Sequence, residues 1–158
     1  MRGIRKLKVG LVTSGLAFNG ESLTTHSLGG SETAFLSMAK ALAARGHEVK
    51  VWVNTDKPGF YGGVQYFPLQ AYEQIVPNTA LDVLISSRWP EFLAVPNHAA
   101  FRFLWLHDTL QDKSRLMGTS WQTDEFWLLS KFHIDNYCGP EGTKPGEGVP
   151  FCPEIRPH

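Results

Sequence analysis

Four short sequences in this chain hold residue types able to bind or transform a polar ligand. The first is Gly29-Gly30-Ser31-Glu32, at the head of a stretch with helical periodicity. Paired glycines let backbone pass close to a bulky group, and the first N–H groups and dipole of a helix favour an anion by about 0.3–1 kcal/mol at an exposed site. A phosphate or a sugar hydroxyl suits that place, and so does a plain turn with Ser31 as N-cap. The second is His107-Asp108, directly after a strongly apolar run. An imidazole there can donate to a sugar hydroxyl or act as a base, with Asp108 orienting it or binding a hydroxyl itself; the structural alternative is a polar pair capping a strand end. The third is Ser86-Ser87-Arg88-Trp89-Pro90, where Arg88 can reach a phosphate and Trp89 can stack on a ring, against a solvated arginine and a buried indole. The fourth is Ser130-Lys131-Phe132-His133, a hydroxyl and two basic groups opening a helix, for which a capping serine is the simpler role.

Two common nucleotide chemistries recede at once. The glycines do not follow the first strand in G-x-G-x-x-G spacing, and no Walker lysine is present. Cys138 and Cys152 are the only cysteines, and two ligands do not make a zinc site; idle thiols, a disulfide or a weak metal pair remain open to them. No metal site and no cofactor are expected.

The elements that must position these residues follow from periodicity. The run 7–13 is short, apolar and β-branched and ends in Ser14-Gly15, the pattern of a buried parallel strand leading into a loop. After a polar loop, Ala34, Phe35, Met38, Ala39 and Leu42 repeat at helical spacing until Gly46 stops them. Strands are expected near 8–13, 48–53, 81–86, 101–106 and 125–129, with a weaker one at 64–68. Short helical pieces fall near 71–75 and 131–137. Strands alternating with helices predict an α/β fold, a Rossmann-like parallel sheet flanked by helices. In such a sheet ligands collect at the carboxyl ends of the strands, where all four sequences lie.

One domain over residues 1–137 is expected, followed by a linker or ragged tail over 138–158 in which glycine and proline leave no room for a helix or central strand. Lys plus Arg equals Asp plus Glu, 15 against 15, so no global field draws the chain to nucleic acid, and nothing indicates a membrane surface, although a local patch would leave that open. The basic start, Met1 to Lys8, lacks the apolar run of a secretory leader, and no stretch reaches the roughly 18–20 apolar residues of a membrane span. A cytoplasmic protein is expected.

These pieces, in this order, resemble the N-terminal domain of group 1 retaining glycosyltransferases of the GT-B type. The resemblance is carried by Gly29-Gly30-Ser31-Glu32-Thr33, by Met38-Ala-Lys-Ala-Leu-Ala-Ala-Arg-Gly-His-Glu-Val-Lys-Val51, by Trp105-Leu-His-Asp108 and by Leu129-Ser-Lys-Phe-His133, over about residues 7–137. It implies two Rossmann-like domains facing a cleft, transfer of a sugar from a nucleotide-sugar donor to an acceptor with retention, and no required metal. Gly29 and Gly30 match the loop that approaches the donor phosphates and the transferred sugar, and His107 matches the histidine that contacts that sugar. Asp108 and Lys131 follow as further site residues. The donor-holding second half has no counterpart in these residues, so activity would need a C-terminal Rossmann-like domain or a partner chain to neutralise the departing diphosphate. The acceptor is not legible. A non-catalytic α/β interaction module that pairs with a partner chain is the alternative, since fold does not dictate function; another Rossmann-like enzyme, such as an epimerase or methyltransferase, is opposed by the missing glycine fingerprint.

Overall fold

The computed structural model describes residues 5–25, 27–108 and 120–138. In chain order the elements are β1 (Lys8–Val12), α1 (Ser22–Thr25), α2 (Gly30–Ala44), β2 (Glu48–Val53), β3 (Gly59–Tyr61), β4 (Val64–Pro68), α3 (Tyr72–Ile75), β5 (Val83–Ser87), α4 (Glu91–Ala94), β6 (Phe101–Trp105), β7 (Glu125–Trp127) and α5 (Lys131–Cys138), with short 3-10 turns at Leu69–Ala71, Val76–Asn78 and Ser120–Gln122. The strands form one sheet in the order β3-β4-β2-β1-β5-β6-β7. All pairs are parallel except β3–β4. This is the expected α/β, Rossmann-like sheet.

Why β1 is central is plain from its side chains: every residue from Val9 to Val12 is buried, and both edges pair in parallel, Leu11 against Val51 of β2 and Ile85 of β5. Strands buried on both faces need apolar residues at successive positions rather than alternation. The two faces carry separate cores. On one, Phe35, Leu36 and Ala39 of α2 pack on Val9, Leu11, Val51 and Ile85. On the other, Val12, Trp52, Leu84 and Leu104 meet Tyr72 of α3 and Leu93 of α4. Helices therefore cover both faces, held by side chains whose full burial stabilises by about 1.5–3 kcal/mol each relative to exposure.

The sequence expectations differ from this structure in detail. The strands begin or end within one or two residues of the expected bounds, so that β5 runs Val83–Ser87 and β6 stops at Trp105, leaving His107 and Asp108 in the loop. The hairpin strand β3 had no signal of its own. It is a three-residue edge strand, and its turn glycines Gly62 and Gly63 adopt positive φ, 55° and 84°. Ser31 is not the N-cap of α2: Gly29 is, with no side-chain cap, and Ser31 is the second helical residue. Thr109, the tail from 139 on and Cys152 lie outside the described residues.

Candidate functional site

Strand order fixes where the site lies. From β1 the chain crosses over α2 to β2 on one side, and later returns past β1 to β5 on its other side. Loops leaving the carboxyl ends of β1 and β5 therefore diverge and leave a crevice, the usual ligand position in an open α/β sheet. Thr13, Ser87 and His107 lie at or just past the ends of β1, β5 and β6. Each continues the pleat of Leu11, Ile85 and Trp105, which face α2, so all three belong to the α2 side. Thr13 is buried and donates through Oγ1 to the Ser87 carbonyl at 3.2 Å, tying the two loops together.

The head of α2 faces the same crevice. Glu32 occupies the buried stripe that continues through Phe35, Leu36 and Ala39, which is why a carboxylate here is only 7% exposed. Its oxygens accept from Ser31 Oγ at 2.9 Å and lie 3.8 Å from Arg88 Nη1. Arg88 is the hub. Its Nη2 pairs with Asp108 at 2.7 Å, its Nη1 donates to Ser31 Oγ at 3.3 Å, and its backbone N–H donates to the Trp105 carbonyl at 2.8 Å. The residue holds φ at +73°, a left-handed conformation costing a side-chain-bearing residue on the order of 1 kcal/mol, which the surrounding contacts impose. Next to it, Trp89 is anchored by donation from Nε1 to the Ser14 carbonyl at 2.9 Å, and Ser86 Oγ donates back to the Trp89 carbonyl.

His107 lies tilted against Trp105, ring centroids 4.4 Å apart. Its Nε2 is buried and meets no hydrogen-bond partner among the described residues, and the same holds for Ser87 Oγ. Each such orphan costs about 1–3 kcal/mol, and these two lie on one face. Burial holds the His107 imidazole below the usual histidine range; Asp108 opposes this, while Arg88 adds to it.

Every expected site residue can now be placed. Gly29, Ser31, Glu32, Arg88 and Asp108 are drawn into one cluster, with His107 beside it. Gly30 faces open space: a Cβ there would meet nothing within 4 Å. Lys131 starts α5 and pairs along it with Asp135 at 3.1 Å. Ser130 does cap α5, its Oγ accepting from the His133 N–H at 3.2 Å. Arg88 is not simply solvated: it pairs with Asp108 at 2.7 Å and lies 3.8 Å from Glu32.

Sequence reasoning passed over Thr13, and it singled out His133 only as one of two basic groups opening a helix. His133 is 4% exposed; its Nδ1 accepts from the Leu129 N–H at 3.2 Å, so Nε2 carries the proton and donates to the Asp108 carbonyl at 2.9 Å. It thereby fixes the loop that presents His107 and Asp108. The only signal for this was its place in Leu129-Ser-Lys-Phe-His133. Among the described residues no group of three or more His, Cys, Asp or Glu is placed to hold a metal, and no helix is long and apolar enough to cross a membrane. A second cleft, of about 450 Å³, lies at the opposite, amino edge of the sheet between Arg5, Lys6, Lys8, Glu48 and Asp82.

No model of a known protein family matches the chain, and a search of curated proteins finds no significant match.

Proposed function

We propose that this domain is the acceptor-side half of a retaining glycosyltransferase, acting in the cytoplasm on a nucleotide-sugar donor and an acceptor whose identity is open. The observation that carries the reading is the convergence of the glycine-rich head of α2 and the His107-Asp108 loop on one crevice at the carboxyl edge, bridged by Arg88. In this role His107 contacts the transferred sugar, Asp108 and Arg88 hold the loop geometry, and Gly30 leaves room for the ligand. Glu32 and Ser31 complete the wall, and Lys131 stands on the helix that follows β7.

Among the described residues, the same site does not supply all that a complete transferase needs. A departing nucleotide diphosphate calls for preorganised positive charge, and among the described residues the one guanidinium in the crevice is paired with Asp108 and lies 3.8 Å from Glu32. The missing charge is assigned to a C-terminal Rossmann-like domain or a partner chain closing over this edge. Leu16, Leu129 and Phe132, exposed at 58%, 58% and 73% in loops and the helix start on the carboxyl side, suit a surface meant to be covered. Those same side chains favour the second reading, a non-catalytic module that uses this edge to hold a partner.

Transfer assays separate the two. The chain alone should turn over no nucleotide-sugar. Fused to the donor-binding half of a GT-B enzyme, it should transfer sugar with retention, and His107→Ala should lower that rate by about a hundredfold or more. Turnover by the chain alone, or a fusion indifferent to His107→Ala, contradicts the proposal.

A further inference from the structure

The head of α2 already holds an anion of the protein's own. Glu32 is its third helical residue, and its carboxylate closes on the loop before it: a Cβ on Gly29 would lie 2.5 Å from Oε2, and one on Gly15 2.9 Å from Oε1. A carboxylate in that position satisfies the helix dipole from within. The attraction of Arg88 for a second anion is offset by Glu32 and Asp108, which bracket it. A phosphate drawn in past Gly30 toward Gly29 and Gly15 would meet the buried Glu32 carboxylate, where repulsion is less screened than in water.

What the crevice offers instead is hydrogen bonding without charge. Ser87 is 1% exposed and its Oγ has no partner among the described residues; nor does the buried His107 Nε2. Both lie at the ends of adjacent parallel strands, on the α2 side. A hydroxyl can donate to one and accept from the other. Gly30 keeps the approach open.

We infer that Glu32 is a charge filter: this crevice takes a neutral, hydroxyl-bearing group of the ligand at Ser87 and His107, and turns phosphate away. The diphosphate of a donor is then held wholly by groups outside the crevice. The identity of the occupant as a sugar rests on the glycosyltransferase reading; the rejection of anions does not.

Nuclear magnetic resonance on the labelled full chain tests this, with sodium pyrophosphate and the methyl glycosides of glucose, galactose, mannose and N-acetylglucosamine as probes. At least one glycoside should shift the Gly30, Ser87 and His107 signals of the wild type, and Ser87→Ala should weaken that response. Pyrophosphate should leave the same signals unmoved. Glu32→Gln should admit pyrophosphate there with at least about tenfold higher affinity, while Glu32→Asp, which keeps the charge, should still exclude it; thermal melts check that both variants fold. Pyrophosphate shifting Gly30 in the wild type as it does in Glu32→Gln overturns the filter and leaves the glycosyltransferase reading standing. Exclusion of pyrophosphate with no response to any glycoside overturns the proposed occupant and takes that reading with it.

Discussion

At His107 two demands meet that an ordinary surface histidine escapes. The ring is pressed against Trp105 and its Nε2 is buried, so the fold disfavours the imidazolium. The unfolded chain, whose histidine titrates near pH 6.5, takes up the proton first. The sign follows: stability is fully present above about pH 6.5 and is lost as pH falls toward the lower folded value. Urea denaturation between about pH 7 and about pH 5 should show a shallower loss for His107→Gln than for the wild type; parallel curves would remove His107 as a titrating contributor. The sequence marked His107 and Asp108 as polar residues past an apolar strand, and that much is legible from type and position. The ion pair between Arg88 and Asp108 was not, because it joins loops 20 residues apart and depends on Arg88 adopting φ +73°. Nor could spacing tell that Glu32, on the same stripe as Phe35 and Ala39, would be the buried end of a helix rather than a solvated first-turn acid.

Among the elements, periodicity located the long or strongly patterned ones. β1, α2 and β2 emerged from apolar runs and a glycine stop because burial on both faces leaves little choice of residue type. The short elements α1, β3 and α4 did not, since three or four residues carry no period and their placement is set by the sheet they pack on. Two buried tyrosines show how packing distributes polar groups between such elements. Tyr72 of α3 donates to the Phe92 carbonyl at 2.9 Å, linking α3 to α4, while Tyr66 of β4 buries its hydroxyl with no partner among the described residues. Burial alone pushes the Tyr66 phenol up to about 12. Removing a satisfied bond and removing an orphan should have opposite consequences. Tyr72→Phe is expected to cost about 1 kcal/mol, and Tyr66→Phe to be neutral or stabilising by up to about 1 kcal/mol, in urea unfolding. A loss at Tyr66→Phe equal to that at Tyr72→Phe would mean the Tyr66 hydroxyl has a partner after all.

For the molecule as a whole, the parallel sheet and its switch point turn scattered motifs into one crevice. The fold class was legible because alternating strands and helices admit few topologies. The location proposed for the site follows from that topology, but its charge does not. The central claim is that the carboxyl edge, at Gly29, Gly30, Arg88, His107 and Asp108, is where a nucleotide-sugar meets this chain. The direct measurement is amide chemical-shift mapping of the labelled chain titrated with a panel of nucleotide-sugars. Shifts confined to those residues, weak in the wild type and abolished by Gly30→Ala without a fall in melting temperature, are the predicted result. Shifts at the amino-edge cleft of Arg5, Lys6 and Lys8, or none with any donor, would contradict the account.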